Sequence, residues 1–219
     1  MLIKIGIGFL TVILFSIIAV PPAHALWWMA YHKPAFKGKI IDSETKEPIE
    51  GAVVVVTYSK KSIGIAESYS VVVNVRETLT DKNGEFYFPS YTTIIQPLSW
   101  NPSWQGVDVI IFKSGYGSFP DWRVSPPKGI DIKVVWDDFF TGEVGVEKEV
   151  WWREPWKVGS ESKKIKVTFG LVELPKLKTR EERRKASRVG VTGYRSKDLP
   201  LLYKALNEEQ RYLGIPESE

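Results

Sequence analysis

The chain has no cysteine, and that absence removes several chemistries at once. No disulfide can staple the fold, no thiolate can hold zinc, and no lipid can be attached at a processed cysteine. Histidine is nearly as scarce. Of two in the chain, only His32 lies beyond the leader-like first 25 residues. A histidine metal cluster and a Cys/His dyad are thereby excluded, and any Ser-His-Asp triad would have to use His32. Nothing near a serine resembles a nucleophile elbow, so His32 reads as an exposed residue. No glycosylation sequon survives either, since Asn101-Pro102-Ser103 carries the forbidden proline. No cofactor site is expected.

The apolar run at the start is also short. It extends from Ile5 to Val20, 16 residues, preceded only by the charge of Lys4 and ended by Pro21-Pro22. A membrane-spanning helix needs about 20 apolar residues. Ala23-His24-Ala25 then places small residues where a signal peptidase inspects them, so residues 1–25 read as a cleavable signal peptide. The expectation is an exported chain beginning at Leu26, periplasmic or extracellular, with membrane contact only through an uncleaved leader. Loss of Lys4 takes the formal charge from +4 to +3. That mild basicity does not point to nucleic acid, and export argues against it.

Strand-like segments dominate the chain beyond the leader. After an aromatic arm at residues 26–35 (Trp27, Trp28, Tyr31), Phe36–Asp42 alternates partially, and Ala52–Tyr58 contains four consecutive valines that suit a buried strand. Ser68–Leu79 is again β-branched. Asp81-Lys82-Asn83-Gly84 is a turn, and Glu85–Phe88 alternates after it, so residues 79–88 read as a hairpin. Val107–Lys113, Ile130–Trp136, Val144–Trp152 and Ile165–Val172 complete about eight strands, with Ile165, Val167, Phe169 and Leu171 assigned to one face. No amphipathic helix occurs before Pro175, which argues against a parallel α/β architecture. Beyond it, Thr179-Arg180-Glu181-Glu182 matches a capping box opening a helix to about Arg188. Residues 190–196 read as a loop. Leu199–Leu213 forms a second helix whose face of Leu202, Leu206 and Leu213 should dock on the sandwich.

The segment from Phe36 to Phe88 resembles a carboxypeptidase regulatory-like domain of the transthyretin-like (prealbumin-like) type. The matching pieces are Gly38-Lys39-Ile40-Ile41-Asp42, Pro48-Ile49-Glu50-Gly51-Ala52-Val53-Val54-Val55 and Thr80-Asp81-Lys82-Asn83-Gly84-Glu85-Phe86. Val109-Ile110-Ile111-Phe112-Lys113-Ser114-Gly115-Tyr116 is similar to a later strand of that family. The resemblance implies a mainly β chain: an antiparallel transthyretin-like β-sandwich over residues 36–175, with an insertion around 120–157 and a helical appendage at 176–219. Such domains accompany peptidases, outer-membrane receptors and surface proteins, and related sandwiches bind carbohydrate. A shared fold does not fix an activity. One enzyme of this fold, 5-hydroxyisourate hydrolase, uses histidines and a terminal Tyr-Arg-Gly-Ser. Tyr194-Arg195-Ser196 lacks the glycine and the terminal position, and the histidines are missing, so that activity is rejected.

The remaining motifs read as structure. Asp81, Asn83 and Glu85 do not follow an EF-hand, because Gly84 is the fourth residue and not the sixth. Asp137-Asp138 and Glu147/Glu149 could serve glycoside hydrolysis but read as solvated charges. Gly115-Tyr116-Gly117 lacks the helix of a dinucleotide fingerprint. The basic cluster Lys176, Lys178, Arg180, Arg183, Arg184, Lys185 and Arg188 is interleaved with Glu181 and Glu182, as a solvated helix face would be. The unusual feature is tryptophan, nine in all: 27, 28, 100, 104, 122, 136, 151, 152 and 156. Trp100 and Trp104 fall in a turn-like stretch. Trp100, Trp104, Trp122 and Trp156 are the candidate contacts for a glycan or an envelope protein, against the alternative that they pack beneath loops. The expected function is a non-catalytic interaction or structural module. A carbohydrate-binding module is the alternative, and an unrecognised hydrolase comes last.

Overall fold

A computed structural model describes residues 30–63, 68–94, 103–120, 139–152, 161, 163–189 and 196–216. The leader, Trp27, Trp28, Trp100, Trp122, Trp156, Asp137-Asp138, the segment Ile130–Trp136 and most of the loop at 190–196 lie outside the described residues.

The chain is mainly β, a sandwich with two C-terminal helices. Its described strands are β1 (Ala30–Lys33), β2 (Phe36–Asp42), β3 (Val53–Ile63), β4 (Ser68–Leu79), β5 (Glu85–Phe88), β6 (Tyr91–Ile94), β7 (Ser103–Phe112), β8 (Glu147–Trp152), β9 (Lys163–Thr168) and β10 (Leu171–Leu174). Helices α1 (Arg180–Ala186) and α2 (Pro200–Leu213) complete it. One sheet has the order β10-β2-β5 and the facing sheet β4-β3-β7, while β1-β6 and β8-β9 form two-stranded ribbons. All pairings are antiparallel except β10 with β2.

The valines of β3 explain the layering. Val54, Val56 and Tyr58 face Phe36, Ile40, Phe86, Phe88, Val172 and Leu174 across the sandwich. Val53 and Val55 point the other way and pack with Phe112 against Leu199, Leu202, Tyr203 and Leu206. A strand covered on both faces has no polar side, and so the sequence runs apolar without alternation. The second helix therefore docks on the sandwich, as its apolar face predicted, and supplies a third layer.

Several boundaries differ from the sequence reading. Residues 79–88 are not a hairpin: β4 pairs with β3, and β5 pairs with β2 in the opposite sheet. Thr80 causes the crossing. Its amide donates to Ala52 O and its hydroxyl to Ile49 O, while its Oγ1 accepts from the Ala52 amide, which holds the end of β4 to β3. Asp81 Oδ1 then accepts from the amides of Asn83 and Glu85. Gly84 adopts φ +73°, and an added Cβ would lie 2.3 Å from Ile40 O, so the turn requires glycine.

The span Ile165–Val172 is likewise two strands. Gly170, at φ +68°, breaks it, and β10 leaves β9 to join β2. Leu171 is consequently half-buried while Val172 enters the core, not the reverse. β7 begins at Ser103, four residues early, so Trp104 stands on a strand and not in a turn. β8 begins at Glu147 and not at Val144. From Ala30 the aromatic arm is strand β1. Tyr31 is fully buried there, its hydroxyl donating to Gly106 O at 2.8 Å, and Gln105 clamps the arm by accepting from the His32 amide and donating to Ala30 O. His32 itself is exposed, with Nδ1 2.7 Å from Thr92 Oγ1. Phe139 and Phe140, from the stretch read as an insertion, belong to the core beside Phe86, Phe119 and Phe169.

Candidate functional site

The helices are placed by buried charge. In α1, Thr179 caps as expected: its side chain accepts from the Glu182 amide, and Glu182 Oε2 accepts from the Thr179 amide at 3.0 Å. The Thr179 amide, the Thr179 hydroxyl and the Lys178 amide hold the Glu182 carboxyl below its ordinary pKa. α2 begins without a side-chain cap of its own. Glu77 of β4 supplies one from outside, its two oxygens accepting from the amides of Leu201 at 2.6 Å and Leu202 at 3.0 Å. A carboxylate there satisfies orphan donors and meets the positive end of the helix dipole.

Glu209 is 1% exposed. Arg183 of α1 grips it through Nε at 2.6 Å and Nη2 at 2.7 Å, and the Ser114 hydroxyl and Gly115 amide donate to it at 2.6 and 3.0 Å. Burial pushes this carboxyl up. The hydrogen bonds from Arg183 and Ser114, the Arg183 charge and the Gly115 amide outweigh it and leave the carboxyl below its ordinary value. The hydrogen bond to Glu209 in turn raises Arg183. The Arg183 guanidinium also lies 3.5 Å from the ring centre of Tyr212. Arg180 donates to Leu213 O at the end of α2. The basic cluster is therefore not one solvated face. Arg183 is an internal tie, Arg180 closes α2, and the rest stay outside.

Beside these ties lies a groove of about 850 Å³. Its floor comes from β7 and the returning segment at 118–120, its walls from residues 175–178 and α1. Paired backbone bonds fix that shape: Ile111 with Phe119, Gly117 N to Pro175 O, and Leu177 N to Gly115 O. Ile110, Phe119, Pro120, Pro175, Leu177 and Val189 supply the apolar part of the lining. Lys176 and Lys178 stand on one wall and Lys185 and Arg188 on the other, with Glu44, Asp108 and Glu182 also in the lining. Two of those carboxylates are already committed, Glu44 to Lys178 at 3.2 Å and Glu182 to the cap. Lys185 also meets Glu181 on the exposed helix surface at 3.3 Å. The balance facing the groove is cationic. At its edge Asp42 is held below its ordinary pKa by the amides of Thr45 and Glu44, against its burial, with help from Tyr116 and the Lys176 charge.

No family model, curated protein or solved structure matches this chain.

The candidate tryptophans are not brought together among the described residues. Trp100, Trp122 and Trp156 lie outside them. On β7 the backbone of Trp104 pairs with Lys61 of β3, and its side chain is not among those described. A different tryptophan stands out: Trp151 of β8 is 68% exposed. Its signal is present as Glu147-x-Glu149-x-Trp151, an alternation that puts the ring on the same face as two carboxylates. Asp81, Asn83 and Glu85 form a turn, as their spacing implies. Glu147 and Glu149 pair across the ribbon with Lys166 at 3.9 Å and Lys164 at 3.3 Å. No group of three metal-ligating side chains occurs among the described residues, and no described helix is long and apolar enough to cross a membrane.

Proposed function

We propose that this chain is an exported, non-catalytic interaction module of the cell envelope or exterior, built on a carboxypeptidase regulatory-like sandwich. The ordered motifs of that resemblance support the kinship: they fall on β2, on the turn into β3, on the crossing from β4 to β5 and on β7. The leader-like start supports export. The groove beside α1 carries the reading. It receives an extended segment of a partner protein that alternates apolar and acidic side chains. Apolar lining gains from burying aliphatic groups, and four cations on the two walls against three carboxylates favour an anionic occupant. The charged groups with the most hydrogen bonds support the same reading, since Arg183, Glu209, Asp42 and Asp81 serve helix ties and turns.

The test places a photo-crosslinking residue at Val189, with Tyr212 on α2 as the control site, in the full chain expressed in its envelope. The expected result is a Val189-specific adduct whose cross-linked peptide carries Asp or Glu between apolar residues, lost in a Lys185→Glu/Arg188→Glu variant. No adduct, or a basic peptide insensitive to charge reversal, would overturn the proposal. N-terminal sequencing of the same protein should give Leu26 as the first residue.

A further inference from the structure

The ribbon β8-β9 has two unlike faces. Lys148 and Val167 lie opposite each other on the inner one, where Val167 is buried and Lys148 covers the Phe169 ring at 4.4 Å. The outer face carries Glu147, Glu149 and Trp151 on β8 opposite Thr168, Lys166 and Lys164 on β9. Five of these six positions follow the rule that outward strand residues are polar. Trp151 breaks it, with 68% of its surface in water. Exposing a large aromatic ring where any polar residue would serve is a local conflict of the kind found at functional positions.

We propose that this outer face is a binding site for a neutral oligosaccharide, with Trp151 as its stacking platform. The axial C–H bonds of a pyranose present a weakly positive apolar face, and the indole presents a negative one. Glu149 and Lys164, an ion pair 3.3 Å apart and both more than half exposed, share this face with the ring. A carboxylate beside an ammonium offers an acceptor and a donor to neighbouring sugar hydroxyls. Lys164 Nζ lies over the indole, 5.6 Å from the ring centre, so one face of the ring meets the ammonium and the sugar stacks on the other.

Charge and size select the ligand. Two carboxylates and two ammoniums on this face sum to zero, so it does not favour an anionic glycan. A protein interface of standard size covers about 800 Å² per partner around an apolar core. One ring among four charges and a threonine does not make such a core, whereas it matches a single sugar. The row runs from Trp151 back to Glu147, the first residue of the strand, so a second sugar can follow the one stacked on the indole. This site is separate from the groove beside α1, and neither proposal depends on the other.

The test titrates the mature chain with soluble β-1,4-linked tetramers of glucose and of N-acetylglucosamine, beside an array of neutral and anionic glycans. The indole N–H resonance of Trp151, assigned from Trp151→Phe, reports contact. The expected result is a neutral glycan that shifts this resonance. Trp151→Ala should weaken its binding at least tenfold with unchanged circular dichroism, and Trp151→Phe should retain part of it. Glu149→Gln/Lys164→Met should weaken it several-fold. Binding of no neutral glycan, binding of anionic glycans alone, or binding indifferent to Trp151→Ala would each overturn the proposal.

Discussion

Breaking the Arg183–Glu209 pair from one side should cost far more than replacing it. The carboxylate is 1% exposed and takes bonds from Arg183, Ser114 and Gly115. In Glu209→Leu the guanidinium is left largely buried without its counter-ion, beside the Tyr212 ring. In Arg183→Met the carboxylate keeps only the Ser114 and Gly115 donors. Removing one partner of a buried pair costs about 3–5 kcal/mol, while an apolar replacement of both is often neutral. Here the Gly115 amide would also lose its acceptor, so Arg183→Met/Glu209→Leu should cost about 1–3 kcal/mol. Two single losses of at least about 3 against a double loss of at most about 3 kcal/mol give a coupling of about 3 kcal/mol or more, at the upper end of what contacting residues show.

Urea unfolding of the mature chain measures this directly. With a slope of about 2 kcal/mol per molar, each single variant should shift the midpoint down by about 1.5–2.5 M, and the double variant by less. Amide exchange in α2 should accelerate in the singles before global unfolding, because Glu209 ties that helix to β7 and α1. Additivity of the two single effects within about 0.5 kcal/mol would mean that the two side chains act independently, and the buried tie would have to be abandoned.

The same contacts set four further outcomes. Tyr58 is fully buried and its hydroxyl makes no hydrogen bond among the described residues, so Tyr58→Phe should leave urea stability unchanged or raise it by about 1 kcal/mol; a loss of that size would show that the hydroxyl is satisfied. Glu77→Ala should cost about 1–2 kcal/mol and fray the first turn of α2 in amide exchange, with Glu77→Gln retaining part. Glu209 and Asp42 both have carboxyls held below the ordinary 4.5 and 3.8; their contribution is complete above those values and disappears as pH falls through the lower native ones, so stability should decline below about pH 4.5, and less steeply in Arg183→Met/Glu209→Leu. A chain ending at residue 195 should aggregate or bind a hydrophobic dye, because Val53, Val55 and Phe112 lose the Leu202 and Leu206 cover; a monomeric, dye-negative product would contradict the third layer.

The local chemistry of the chain is readable where neighbours in sequence decide it. The capping box at Thr179, the four valines of β3 and the turn at Asp81–Gly84 all form as their residues dictate. What a turn connects is not readable. An Asp-x-x-Gly turn serves a hairpin or a crossing between sheets equally well, and here Thr80 decides through bonds to Ala52 and Ile49, 28 and 31 residues away. The break at Gly170 is hidden because apolar residues resume alternating on its far side with the opposite phase. One further signal lies in the spacing of α2. Glu209 falls on the stripe of Leu202, Leu206 and Leu213, seven residues from the first, so the pattern alone places a charge on the buried face of that helix. A charge there demands a partner. Arg183 is concealed among six other basic residues, and only the fold shows which of the seven turns inward.

That inward turn connects stability to the groove. α1 has seven residues, too few to hold a helical conformation by itself. Its capping box closes one end, but its position against the sandwich depends on Arg183 reaching Glu209, and on Glu209 reaching Ser114 and Gly115. The same helix carries Lys185 and Ala186 into the groove, and Gly115 O receives the amide of Leu177 from the opposite wall. The two walls and the internal ion pair thus share one small hydrogen-bonded frame. A substitution at Glu209 touches nothing that lines the groove, yet it removes what fixes the spacing between its walls. The two helices appended to the sandwich are also tied into it: α2 covers the outer face of β3, and through Glu209 it holds in place the helix that shapes the groove.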